Sequence, residues 1–166
     1  MMKKQLTVVV AVGGLLLGAL AIAQTGGWGG MGQGMGGPGM MGQGSGGGSV
    51  LRHRYVMTKG IDPQYAKAHN PLTASDLTLR EGKVLYENNC VTCHGTSGRG
   101  DGPASRGMNP APADLTAAIR LPIASDAYLD WTISEGGIPV QSAMPPYKTA
   151  LSNDEIWKVV LYLRTL

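Results

Sequence analysis

Both cysteines of the chain stand in one short stretch, Cys90-Val91-Thr92-Cys93-His94-Gly95, with the histidine directly behind the second thiol. Side chains of these types at this spacing admit four readings. C-x-x-C-H is the attachment motif of c-type haem: two thiols a helical turn apart can add to the two vinyl groups of one porphyrin edge, and the next imidazole then lies under the iron. A zinc site would need a fourth ligand such as His53 or His69, and the usual second C-x-x-C or H-x-x-x-H pair is missing. A thioredoxin-like dithiol would need a strand-helix-strand context, which the sequence lacks. The last reading is an idle surface turn. The haem reading is preferred: Cys90 and Cys93 become thioethers, His94 is the proximal iron ligand, and one haem c is attached covalently per chain.

A haem iron has a second axial position, and its ligand must come from elsewhere in the chain. Met108, Met57, His53 and His69 are candidates. Met144 is the preferred one, because it lies far enough downstream to reach the opposite haem face and its loop is stiffened by Pro145 and Pro146. The alternative is that Met144 only packs in its loop beside a five-coordinate haem.

The elements that would position these residues follow from local signals. Thr78 with Glu81 reads as a capping box, opening a helix that runs through Val84, Leu85 and Tyr86 to about Cys90. Ser152 with Glu155 repeats the pattern, Leu151 and Ile156 can form a hydrophobic staple, and the following helix carries Ile156, Val159, Val160 and Leu163 on one face. Between them Asp126 to Glu135 can form a third helix closed by Gly136 and Gly137. The segment Gly95 to Pro112 reads as loop. No alternating strand run occurs, so the fold class is all-α: a small domain of about three main helices, with long loops, over residues 76–166.

Ahead of that domain lie three further segments. Residues 1–23 carry Lys3 and Lys4, a charge-free apolar run from Leu6, and the small-residue end Ala21-Ile22-Ala23, the pattern of a secretory signal. An uncleaved anchor over residues 6–23 is the alternative. Either implies export, with a periplasmic location expected. In an oxidising compartment paired cysteines usually suggest a disulfide, but Cys90 and Cys93 would close a very small loop and stabilise little. Residues 24–49 are mostly glycine and uncharged, a flexible linker by composition. Its Met31, Met35, Met40 and Met41 are soft thioethers that could bind copper, although a tether is the simpler reading. Residues 50–75 mix charge, aromatic rings and proline without a sustained period. They form an arm lying on the domain or on a partner, and Pro63 and Pro71 break any long helix.

The 166 residues include 26 glycines and no phenylalanine, and aromatic residues make up 5%. Such a chain is poorly supplied for an all-protein core, and a bound cofactor could provide the missing apolar mass. The formal charge of +3 includes Lys3 and Lys4. Without them the balance is near neutral, and nothing favours nucleic acid as a partner.

From Gly82 to Leu166 the chain resembles the class I c-type cytochromes. "REGKVLYENNCVTCHG" resembles their first helix leading into the haem motif, and "GRGDGPA", Gly98 to Ala104, the loop that follows. "SAMPPY", Ser142 to Tyr147, is similar to their distal-ligand loop, and "IWKVVLYLRTL" to their final helix. The resemblance implies Met144 as the distal ligand. It also implies a crossing of the first and last helices at Gly82 and Tyr86 against Tyr162 or Trp157, and a proline carbonyl, of Pro110 or Pro112, that accepts the proximal histidine's N–H. With both axial positions filled, the expected role is one-electron transfer between a protein donor and acceptor, without a catalytic residue of its own. The chain would act as an exported mono-haem carrier or as a haem subunit of a larger oxidoreductase or respiratory complex. A copper-handling protein or a peroxidase with an open distal face ranks behind both.

Overall fold

The computed structural model describes residues 47–166, which belong to one compact unit. The expected signal or anchor over residues 1–23 and the methionines Met31, Met35, Met40 and Met41 lie outside the described residues. Six α-helices follow in order: α1 (Gly47–Lys59), α2 (Asp76–Asn89), α3 (Val91–His94), α4 (Leu115–Ala118), α5 (Asp126–Glu135) and α6 (Asn153–Leu163). Short 3-10 turns cover Pro103–Ser105 and Ile138–Val140. The described residues contain no strand, and none of their helices is long and apolar enough to cross a membrane.

Helix α6 begins where its sequence says. The Ser152 side chain accepts from the Glu155 backbone N–H, and the Glu155 carboxylate accepts from the Ser152 N–H at 2.8 Å, so two otherwise orphaned donors are satisfied. Helix α5 ends at Gly136, whose φ of 60° suits glycine. The start of α2 differs from expectation. Its cap is Ser75, and Thr78 occupies the third helical position, where its hydroxyl accepts the Ser75 N–H at 2.9 Å. Glu81, expected to complete the box, instead pairs with Lys158 of α6 at 2.9 Å.

The packing centre is the crossing of α2 and α6. A side chain at Gly82 would collide with the Lys158 carbonyl oxygen, so the missing Cβ is what lets the two backbones meet. One turn further on, Tyr86 is fully buried and its ring tilts against Tyr162 at 5.3 Å between centroids. Of the two aromatic partners expected, Tyr162 makes this contact. Trp157 is buried nearby, together with Ile156, Val159, Val160 and Leu163 of the same helix.

Helix α1 departs from expectation in two ways. It begins at Gly47, inside the glycine-rich segment expected to be a linker through residue 49, and it turns part of the expected arm into a helix that ends before Gly60. What holds it is tertiary contact. Tyr55 stacks on Trp131 of α5 at 5.7 Å, and the Arg52 guanidinium lies 5.1 Å from the centre of the same indole. The rest of the arm lies along α5 and α6: the Tyr65 hydroxyl donates to Glu135 at 2.6 Å, and the Asn70 amide donates to the Trp157 carbonyl at 3.0 Å.

The Gly82 contact generates a prediction. On an exposed helix, Gly→Ala would gain about 1 kcal/mol of propensity. At this crossing overpacking, about 1–3 kcal/mol, wins. Gly82→Ala should therefore lower the urea midpoint of the holoprotein, and a raised midpoint would refute the close approach.

Candidate functional site

The α2–α3 junction carries the C-x-x-C-H residues. Helix α2 stops at Cys90, whose N–H still donates to the Tyr86 carbonyl, and the one-turn helix α3 follows at once. The backbone is then fixed from three sides. The Tyr86 hydroxyl donates to the Gly95 carbonyl at 2.7 Å, Gly100 N–H to the His94 carbonyl at 2.8 Å, and Gly102 N–H to the Cys93 carbonyl at 3.2 Å. Gly102 sits so close under the turn that a Cβ there would strike the carbonyl oxygens of Val91 and Thr92.

His94 is oriented by a hydrogen bond of 3.0 Å between Nδ1 and the Ala113 carbonyl. A carbonyl can only accept, so Nδ1 carries the proton and Nε2 keeps its lone pair. This corrects the expected acceptor, which was the carbonyl of Pro110 or Pro112. The chain bends at this duplicated Pro-Ala-Pro-Ala run so that the residue after the second proline presents its oxygen. Burial lowers the His94 pKa below the usual histidine value, although the bond to Ala113 opposes the shift, so the site favours the neutral ring.

No disulfide joins Cys90 and Cys93. Burial, with a smaller contribution from Cys93, pushes the Cys90 thiol up to about 12. A redox dithiol needs the opposite, an attacking thiol lowered towards neutral pH. The zinc reading also lacks support: among the described residues no group of three or more His, Cys, Asp or Glu side chains is placed to hold a metal ion.

Cys90, Cys93 and His94 line one large cavity, with about 1210 Å³ of atom-free space counting its open mouth. Its walls are largely apolar, and include Ile119, Leu129, Ile133, Val159 and Leu163. Met144 lines the same cavity, and so does Met108; the other distal candidates, Met57, His53 and His69, do not. The Met144 loop is folded back on the end of α5. Gly137 N–H donates to the Met144 carbonyl at 2.7 Å and Tyr147 N–H to the Ile133 carbonyl at 3.1 Å. The Tyr147 hydroxyl then reaches across to the Asn89 carbonyl at 2.6 Å, tying this loop to the residue before Cys90.

The cavity suits a large apolar ring with polar substituents. Two thiols and a neutral imidazole share its wall with two thioethers, and apolar side chains cover most of the rest. Two of the lining residues each carry a buried polar atom with no hydrogen-bond partner among the described residues, Arg52 Nη1 and Thr132 Oγ1. The sequence singled out neither residue. Arg52 and Arg54 sit in the same short polar run, and only the docking of α1 separates the buried one from the exposed one.

Gly102→Ala should displace the turn that presents Cys93 and His94, costing about 1–3 kcal/mol of stability. Denaturant unfolding of the holoprotein checks this, and wild-type stability would contradict the close contact.

No curated protein sequence matches the chain. One chain of a solved structure, the Kuenenia stuttgartiensis reducing HAO-like protein complex Kustc0457/Kustc0458, is 29% identical with a TM-score of 0.50. The similarity covers 57% of this chain and 46% of that one, so this chain spans less than half the length of that relative. The sequence model of the Cytochrome c family matches residues 79–166, more than half of the chain, from early α2 to the end of α6. The chain belongs to the cytochrome c family, whose members bind haem c covalently and use it in electron transfer.

Proposed function

We propose that the protein carries single electrons between redox partners through a His/Met-ligated haem. Cys90 and Cys93 would hold the porphyrin as thioethers, and His94 and Met144 would hold the iron. The observation that supports this most is that all four side chains line one apolar cavity. Haem iron, when bound, supplies a ferrous/ferric couple, with methionine ligation favouring the reduced form.

The chain's own residues account for the rest. Ala113 holds the His94 proton on Nδ1 and leaves Nε2 available. The Gly136-Gly137 turn fixes the Met144 loop, and a side chain at Gly136 would collide with the Pro145 carbonyl oxygen. Apolar walls exclude water and lower the local dielectric, which tunes the couple. With His94 and Met144 both holding the iron, no ligand position would be left for a substrate, and transient docking of a donor and an acceptor would be the mode of action. The N-terminal pattern supports an exported, periplasmic protein, either free or anchored through residues 6–23.

A second reading has its own support. The solved relative is a chain of a protein complex, and this chain's arm and α1 extend the domain beyond the family-matched residues. The protein would then be a haem c subunit of a larger oxidoreductase. Purification from native membranes decides between the two: fixed partner subunits favour the complex, and a free monomer favours the carrier.

The ligand assignment is tested by comparing Met144→Ala with Met108→Ala. Met144→Ala should change the coordination seen in reduced and oxidised spectra. It should also lower the reduction potential by more than about 59 mV, tenfold in the equilibrium of a one-electron couple. Met108→Ala should leave coordination intact. The reverse pattern would transfer the role to Met108.

A further inference from the structure

Arg52 is 5% exposed, on a helix that lies outside the family-matched residues, and its side chain reaches the haem cavity. One guanidinium nitrogen, Nη2, donates to the Gly136 carbonyl at 2.6 Å. The other, Nη1, is buried without a hydrogen-bond partner among the described residues, and the hydroxyl of Thr132, which lines the same cavity, also lacks one. Burial lowers the Arg52 pKa, opposed by the nearby Tyr128 hydroxyl. A guanidinium nevertheless stays charged in proteins, so among the described residues the cavity lining holds a cation without a counter-ion.

The neighbouring carboxylates are committed elsewhere. On α5, Asp126 pairs with Arg164 at 3.0 Å, Asp130 accepts from Ser134 at 3.1 Å, and Glu135 takes Lys148 at 2.8 Å and Tyr65. The Ile138–Val140 turn packed on α1 has no titratable group. Among the cavity-lining residues Arg52 is the one charged side chain; the other titratable ones are Tyr86, Tyr128, Tyr147, Cys90, Cys93 and His94. What the wall lacks is an anion, and haem carries two carboxylates on its propionate arms.

We propose that Arg52 Nη1 and the Thr132 hydroxyl bind a haem propionate, making α1 part of the cofactor site instead of a connecting arm. The pair supplies a charge-assisted donor and a neutral one, which suits one carboxylate. The bond leaves the Gly136 contact of Nη2 in place, so one side chain would link the propionate, α1 and the turn that carries the Met144 loop. This rests on the cavity being the haem site. A chain without covalent haem would end that reading, whereas haem-loaded variants test Arg52 by itself.

The test is potentiometric titration of the full-length holoprotein from about pH 5 to about pH 9, a range that brackets a carboxylate raised by burial. In the wild type the propionate paired with Arg52 stays ionised and adds no pH dependence of its own to the potential. In Arg52→Met it loses its cation, its pKa rises into the range, and each protonation favours the reduced iron. The potential should then rise as pH falls, by up to tenfold in the reduced-to-oxidised ratio per pH unit, about 59 mV for one electron. Arg52→Lys should stay close to the wild-type profile. Thr132→Val, which touches neither Gly136 nor Trp131 contacts of Arg52, should show a weaker slope and carries the test if Arg52→Met fails to accumulate. Profiles unchanged from the wild type in the haem-loaded Met and Val variants would overturn the proposal and leave Arg52 as a latch for α1. A wild-type potential that moves with added phosphate would also overturn it, by showing a free anion at Arg52.

Discussion

The arrangement depends on the backbone contact at Gly82. Helices α2 and α6 can cross closely because no side chain separates residue 82 from the Lys158 carbonyl. That crossing seals Tyr86 between the helices, and the Tyr86 hydroxyl reaches the Gly95 carbonyl at the far side of the C-x-x-C-H turn. A packing constraint in the first helix therefore becomes a positional constraint on Cys90, Cys93 and His94. Lys158 contributes a second tie, since its ammonium pairs with Glu81, the residue before the glycine.

Around this crossing the protein builds a wall and leaves the middle open. A chain with no phenylalanine lines the cavity with Tyr86, Val159 and Leu163, together with α5 and the Met144 loop, and buries Trp157 and Val160 in the core. Backbone carbonyls do much of the positioning. Ala113 orients His94, Asn89 anchors Tyr147, and Gly136 receives Arg52. A bound haem would stabilise the state whose cavity it fills, which answers the shortage of apolar side chains in physical terms.

What was legible in the sequence was what is local. Helices α5 and α6 follow from Ser152, Glu155 and the glycine after Glu135, because caps act within a few residues. The start of α2 was misplaced because Ser75 and Thr78 have the same three-residue spacing as Thr78 and Glu81. A threonine hydroxyl can accept the cap N–H as a glutamate would. Helix α1 was illegible: it opens in glycine, and its ordering comes from Trp131 and Gly136, distant in sequence. The Ala113 carbonyl was missed for a related reason, since two prolines in one short run give two near-equal positions for the chain to turn. Cys90, Cys93, His94 and Met144 could be singled out because each belongs to a short pattern. Arg52 and Thr132 belong to none, and only burial marks them.

The central claim is that this cavity holds one haem joined to the chain through Cys90 and Cys93. Intact mass spectrometry of the denatured protein, expressed with export and haem attachment, tests it most directly. The account predicts the polypeptide mass plus one haem, lost when both cysteines are replaced by serine. A polypeptide without added haem, or an unchanged adduct in the double serine variant, would contradict it.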